Sequence, residues 1–130
     1  MKYLLDTNAV IALLKGHAGF LTRIRQHQPQ DVAMSAIVAH ELFYGAYKGH
    51  RTAENLARLE ALRFEVLYFD REDARHAGEI RALLAAAGAP IGSYDVLIAG
   101  QAVARGLTLV SHNVREFQRV SALYLEDWEL

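Results

Sequence analysis

The sequence predicts an α/β fold: a three-layer α/β/α sandwich around a mostly parallel central sheet. Three observations lead there. Short apolar runs with strand character alternate with longer stretches of helical periodicity. Many of the helices carry start and stop residues of the expected types. Strands separated by helices join through right-handed crossovers, which give a parallel sheet covered on both faces. A chain of 130 residues suits a single domain spanning 1–130 with one core. No internal repeat, low-complexity segment or Gly/Ser linker interrupts it.

Residues 2–6 read as a buried strand, and a short helix follows at 8–15 with Asp6 or Thr7 as its natural cap. A second helix is expected at 18–27. Residues 31–34 form the second strand, Ser35 supplies an N-cap, and a helix at 36–48 ends on Gly49. An amphipathic helix at 52–63 precedes a strand at 64–69, whose residues alternate. Asp70 then caps a long helix at 71–87 that stops at Gly88. Ser93 is expected to cap a further helix that runs to Arg105 and stops at Gly106. Residues 107–110 form the fourth strand, 113–118 a turn or short helix, and 123–126 a last short strand.

Composition narrows the function. Apolar residues make up 52% of the chain and charged residues 22%, which disfavours disorder and leaves apolar surface for a partner. The absence of cysteine removes disulfides and thiolate metal sites and fits a reducing, cytoplasmic location. Asp6 and Asn8 break the first fifteen residues, which makes a poor signal peptide, and no apolar run reaches membrane-spanning length. A formal net charge of −1 argues against a general phosphate-tracking surface, since nonspecific nucleic-acid affinity comes largely from Lys and Arg. Nucleic-acid contact is then local, with acids meeting a polyanion through a cation that inverts the local charge.

Three phrases place lone carboxylates in apolar surroundings: Asp6 in YLLDTN at 3–8, Glu41 in SAIVAHELFYG at 35–45, and Asp95 in IGSYDVLIA at 91–99. Charge there is costly unless something pairs with it. Structural explanations exist for two of them. Asp6 can cap the helix at 8–15, and Asp95 sits in a first helical turn where the macrodipole favours it. Glu41 is too far from its helix start to cap, and no Lys or Arg lies within four positions. In a parallel sheet, loops leaving the strand C-termini share one edge, where ligands usually bind. Asp6, Asp95 and the Ser111–Asn113 segment therefore face the same edge. Glu41 lies about 9 Å along its helix from Ser35 and needs a favourable tilt to join them.

Carboxylates about 4 Å apart repel by about 4 kcal/mol per pair at an effective dielectric near 20, so a fold that gathers them requires compensation. Oxygen ligands without Cys, HxH or HExxH point to Mg²⁺ or Mn²⁺ rather than Zn²⁺. The chemistry that follows is phosphodiester hydrolysis. Asp6 and Asp95 are the expected metal ligands; Glu41 orients or deprotonates water or supports a second ion. Asn113 contributes a neutral oxygen or a water-mediated bond, and the Thr7 and Ser111 hydroxyls position ligands or simply bond local backbone. His112 adjoins the acids through its loop. Arg115 and Arg119 can meet phosphate or solvent. Glu116 can replace a missing ligand near Asn113 or pair with an arginine. No residue singles itself out for substrate binding.

The phrases LLDTN at 4–8, SAIVAHELFYGA at 35–46, IGSYDVLIAGQA at 91–102 and LTLVSHNVREFQRV at 107–120 with the closing EDW through 128 resemble those of the PIN-domain ribonucleases, specifically the VapC toxins. The resemblance spans nearly the whole chain. It implies a PIN-like parallel α/β sandwich, Mg²⁺- or Mn²⁺-dependent endonucleolytic cleavage of RNA, often tRNA, homodimerisation, and neutralisation by a VapB-type antitoxin. It carries the acidic roles to Asp6, Glu41 and Asp95. Where many PIN domains have a fourth acid, this chain has Asn113 with Glu116 three residues on, which resembles a subset of VapC sequences. Two other functions remain open at this point: phosphotransfer through an aspartyl phosphate on Asp6, and a non-catalytic PIN-like module that binds RNA or a partner. Thr7-Asn8 lacks the second acid that the first expects, and three intact acids argue against the second.

Overall fold

Leu4 and Leu5 are fully buried because β1 (Tyr3–Leu5) is the central strand of the sheet. The computed structural model describes residues 1–130. Its five strands are all parallel in the order β3-β2-β1-β4-β5. The others are β2 (Val32–Ser35), β3 (Glu65–Leu67), β4 (Thr108–Val110) and β5 (Tyr124–Glu126). The helices are α1 (Thr7–Leu14), α2 (Ala18–Ile24), α3 (Ala36–Lys48), α4 (Thr52–Glu60), α5 (Arg71–Ala86), α6 (Ser93–Ala104) and α7 (Val114–Phe117). The order of elements matches the alternation read from the sequence, and the sheet is parallel throughout rather than mostly so. No helix is long and apolar enough to cross a membrane.

Register fixes where the strands end. Leu5 lies beside Met34 on one side and Val110 on the other, so Asp6 and Ser111, just past β1 and β4, lie at the same edge as Ser35, the last residue of β2. The Asp6 N–H still donates to Val110 O at 3.1 Å, and the Ser111 N–H to Glu126 O at 3.0 Å. Backbone pairing thus continues one residue beyond β1 and β4 and holds the candidate residues to the sheet.

Helix starts follow from short polar side chains. Ser35 accepts from the Ile37 N–H, and Asp70 and Asp73 form a reciprocal capping box. Helix ends follow from glycine. Gly88 and Gly106 adopt φ of 67° and 64°, and the next residues, Ala89 and Leu107, return their N–H groups to Leu84 and Ala102. This closes α5 and α6 with a left-handed turn that a Cβ would strain.

Several expected boundaries shift. The strand expected at 64–69 shrinks to three residues because β3 pairs only with β2 and its Val66 is exposed at an edge. The helix expected to reach 27 stops at Ile24, where the His27 N–H turns back to Ile24 O. His27 leaves the helix to stack on Trp128, with centroids 5.0 Å apart and planes 9° from parallel. The helix expected to reach 63 stops at Glu60 through a similar bond from Leu62 to Leu59. Ser93 does not cap α6; Gly92 occupies that place without a side-chain bond, and Ser93 is the first helical residue.

The core is one cluster of 24 buried apolar residues, with Trp128, Phe20 and Phe117 its largest fully buried side chains. Trp128 packs against Tyr3 and Phe20 and donates its indole N–H to Glu126 Oε1 at 3.0 Å, which anchors the closing EDW segment. On another side α5 and α6 meet backbone to backbone. A Cβ on Gly100 would lie 2.5 Å from Ala77 Cα.

Candidate active site

Asp6 is only 3% exposed. Its Oδ1 accepts from the Ala9 N–H at 2.8 Å and caps α1, so the capping role read from the sequence is real. That role uses one oxygen of the carboxylate. Burial drives the pKa from an ordinary 3.8 up to about 6, opposed by the Ser111 hydroxyl and the Ala9 N–H and reinforced by the charges of Asp95 and Glu129.

Asp95 stands in the first turn of α6 and is partly buried. Burial raises its pKa, and the neighbouring charges of Glu116 and Glu41 raise it further. Its Oδ2 would lie 2.9 Å from a Cβ placed on Gly92, so a side chain at 92 would displace it. Glu41 does reach the others. The Thr7 hydroxyl, one residue past Asp6, donates to Glu41 Oε1 at 2.9 Å. The carboxylate of the second turn of α3 is thereby tied to the start of α1.

The fourth carboxylate is Glu116. Asn113 was expected to contribute a neutral oxygen or a water-mediated bond; its side-chain NH₂ donates to Glu116 Oε2 at 3.0 Å, which leaves the amide oxygen free. Its backbone N–H donates to Ser111 Oγ at 2.9 Å. Asn113 therefore holds Glu116 and is itself held by Ser111. The three-residue spacing from the N-cap of α7 to Glu116 was the sequence signal for this pairing, but it does not say which of the two faces the acids.

None of Asp6, Glu41, Asp95 and Glu116 makes an ion pair with a basic residue. The trio of metal-ligating groups whose donor atoms close to within 4.8 Å is His112, Asp127 and Glu129, and both His112 and Glu129 are near enough to Asp6 to interact with its charge. Asp95 is near enough to Asp6, Glu41 and Glu116 for their charges to act on one another, although no three of these acids bring donor atoms within 4.8 Å. An all-oxygen donor set with no protein counter-charge fits a hard divalent cation, which Asp6, Glu41, Asp95 and Glu116 could hold.

The PIN domain family model matches residues 3–123. Over 130 residues, 98% of each chain, the sequence is 41% identical to the tRNA(fMet)-specific endonuclease VapC of Salmonella typhimurium. The chain belongs to the VapC branch of the PIN-domain family. This VapC-type PIN domain is also 40% identical to Ribonuclease VapC2 of Haemophilus influenzae over 131 residues, again 98% of each. It resembles the crystal structure of DNA-bound VapBC from Salmonella typhimurium with a TM-score of 0.93 at 41% identity over 98% of both chains. VapBC2 from Rickettsia felis, bound to a promoter DNA fragment, follows with a TM-score of 0.91 at 33% identity over 98% of this chain and 99% of that one.

The remaining candidates of the VapC-type PIN domain are placed as follows. His112 is exposed and its Nδ1 lies 2.9 Å from Asp127 Oδ2; that carboxylate raises the imidazole pKa. Arg119 donates to Pro90 O at 2.9 Å, and Arg115 is exposed. The sequence did not single out His40 and Tyr94. They follow the site because they adjoin Glu41 and Asp95, and their rings meet edge to face 5.2 Å apart, joining α3 to α6 beside the acids.

Proposed function

We propose that this chain is a metal-dependent endoribonuclease, the toxin of a toxin–antitoxin pair, which hydrolyses phosphodiester bonds in tRNA or other structured RNA. The observation that carries the reading is four carboxylates without a basic partner, gathered at one sheet edge of a VapC-type chain. Asp6, Glu41, Asp95 and Asn113 form the catalytic set within a single PIN-like nuclease domain, 1–130. Asp6 and Asp95 hold Mg²⁺ or Mn²⁺. When bound, the ion supplies charge neutralisation at the phosphate and an acidified water. Glu41, fixed by Thr7, orients water or receives its proton, and Asn113 keeps Glu116 turned to the same space. The partners are RNA, a VapB-type antitoxin and a second copy of the chain, in the cytoplasm.

The relatives support the substrate class: the Salmonella typhimurium protein is named for tRNA(fMet), and the similar solved structures are VapBC complexes. The aspartyl-phosphate reading gains no support, since Asp6 is buried and spends Oδ1 on Ala9. Purified protein incubated with a tRNA pool should cleave it with Mg²⁺ and stop on addition of EDTA. Asp6→Ala and Asp95→Ala should abolish cleavage, and the products should carry 5′-phosphate ends. Cleavage indifferent to EDTA, or cyclic-phosphate ends from attack by the RNA 2′-OH, would defeat the mechanism.

A further inference from the structure

A cleft of about 650 Å³ adjoins the acids: it is lined by Asn113, which holds Glu116, and by Glu129, whose charge acts on Asp6. We infer that this cleft is the subsite for one nucleotide of the RNA adjoining the scissile phosphate, with Lys15 and His17 as its phosphate donors. The inference rests on the endoribonuclease reading and names where the strand lies.

The volume falls within the range of sites that take small ligands. Its floor is Ile11 and Ala12 from α1, apolar surface for a sugar or a base face, and its walls are polar. Lys15 lines the cleft at the C-terminal end of α1 and makes no ion pair. An exposed ammonium with no protein partner is suited to a phosphate oxygen. His17 is more specific. Its Nδ1 accepts the Phe20 N–H at 3.1 Å and caps α2. The ring proton of the neutral imidazole is therefore on Nε2, which is left as a donor. His112 also lines the cleft, and its ring is oriented by the 2.9 Å contact with Asp127. Asp127 is in turn held by the Glu129 N–H at 2.9 Å. Glu129 also lines the cleft; its carboxylate repels phosphate and accepts hydrogen bonds, so the base edge or a ribose hydroxyl belongs on that side. A net charge of −1 leaves the protein no broad cationic surface, and a local pair of donors beside the acids supplies what the strand requires.

The test is steady-state cleavage of a tRNA pool in Mg²⁺ by the full chain, comparing Lys15→Gln and His17→Asn with wild type. Asparagine keeps an oxygen for the α2 cap while removing the Nε2 donor. Each change should raise KM by about tenfold with kcat little altered, as loss of a contact made equally in ground and transition states requires. Lys15→Gln should also flatten the dependence of log KM on log salt by about 0.7, one phosphate contact on a single strand; His17→Asn should leave that slope alone. If wild type cleaves and both variants keep its KM and salt slope, or if they lower kcat instead, the cleft is not the subsite. If wild type fails to cleave RNA at all, the endoribonuclease reading itself fails first.

Discussion

Thr7 and Glu41, 34 residues apart in the chain, are joined by a 2.9 Å hydrogen bond from the Thr7 hydroxyl to Glu41 Oε1. Thr7 is fixed by its place after the α1 cap, so the bond selects one rotamer of a glutamate that would otherwise swing on three torsions. Thr7→Val should lower kcat by about tenfold and weaken the Mg²⁺ dependence of cleavage, while Thr7→Ser keeps most of the activity. Equal activity of the valine and serine variants would show that Glu41 needs no such support.

The elevated Asp6 pKa, about 6 against an ordinary 3.8, makes a prediction about stability in the presence of EDTA. The unfolded chain releases this proton first as pH rises, so stability falls between about pH 4 and 6 and levels off above. The rise corresponds to about 3 kcal/mol at most. Asp6→Asn removes the buried charge and retains a cap residue. Its melting temperature in EDTA should exceed that of wild type by several degrees at pH 7.5 and match it near pH 4. A variant less stable than wild type at both pH values would contradict this.

Asp73 presents the opposite case. Its side chain is 1% exposed and receives Arg105 Nε at 3.2 Å and Nη2 at 3.0 Å, with Gln101 Nε2 at 3.1 Å. Burial alone would raise its pKa, but the Arg105, Asp70 and Gln101 hydrogen bonds hold it below the ordinary carboxylate range. Arg105→Met leaves that carboxylate buried without its cation and should cost about 2–3 kcal/mol at pH 7 in urea unfolding, discounted because Arg105 is 30% exposed. A depressed folded pKa contributes stability above the unfolded value and loses it as pH falls through the folded one. The gap between variant and wild type should therefore narrow below about pH 4. A gap independent of pH would assign the effect to packing.

Gly100 sets the distance between α5 and α6. A Cβ there would meet Ala77 Cα and Cβ at 2.5 Å, a contact that neither helix can relieve by rotating a side chain. Gly100→Ala should destabilise by about 1–3 kcal/mol despite the better helix propensity of alanine. Because α6 also carries Asp95, the same change should reduce cleavage at temperatures where the protein remains folded. A thermal midpoint equal to wild type would show that the helices can separate.

Much of the fold could be read from the chain because its signals are local. Asp70, Gly49, Gly88 and Gly106 lie at helix boundaries where capping chemistry puts them, and the apolar runs are strands because strands between helices bury both faces. Misjudged boundaries have non-local causes. β3 is short because it has a single neighbour in the sheet, and α2 stops early because His27 is drawn to a tryptophan a hundred residues away. Ser93 looked like a cap by residue type, but helix entry is set by backbone path, and the chain turns at Gly92.

The sequence by itself determined the element order, the parallel sheet and the placement of Asp6 and Asp95 at one edge, since strand C-termini in such a sheet must share a side. Tertiary structure alone decided that Glu41 reaches that edge through Thr7, that Asn113 turns its amide to Glu116, and that a cleft with Lys15 and His17 opens beside them. The physical reason is range. Caps and periodicity act within a few residues, whereas the direction of a long side chain depends on neighbours that only the folded chain brings near.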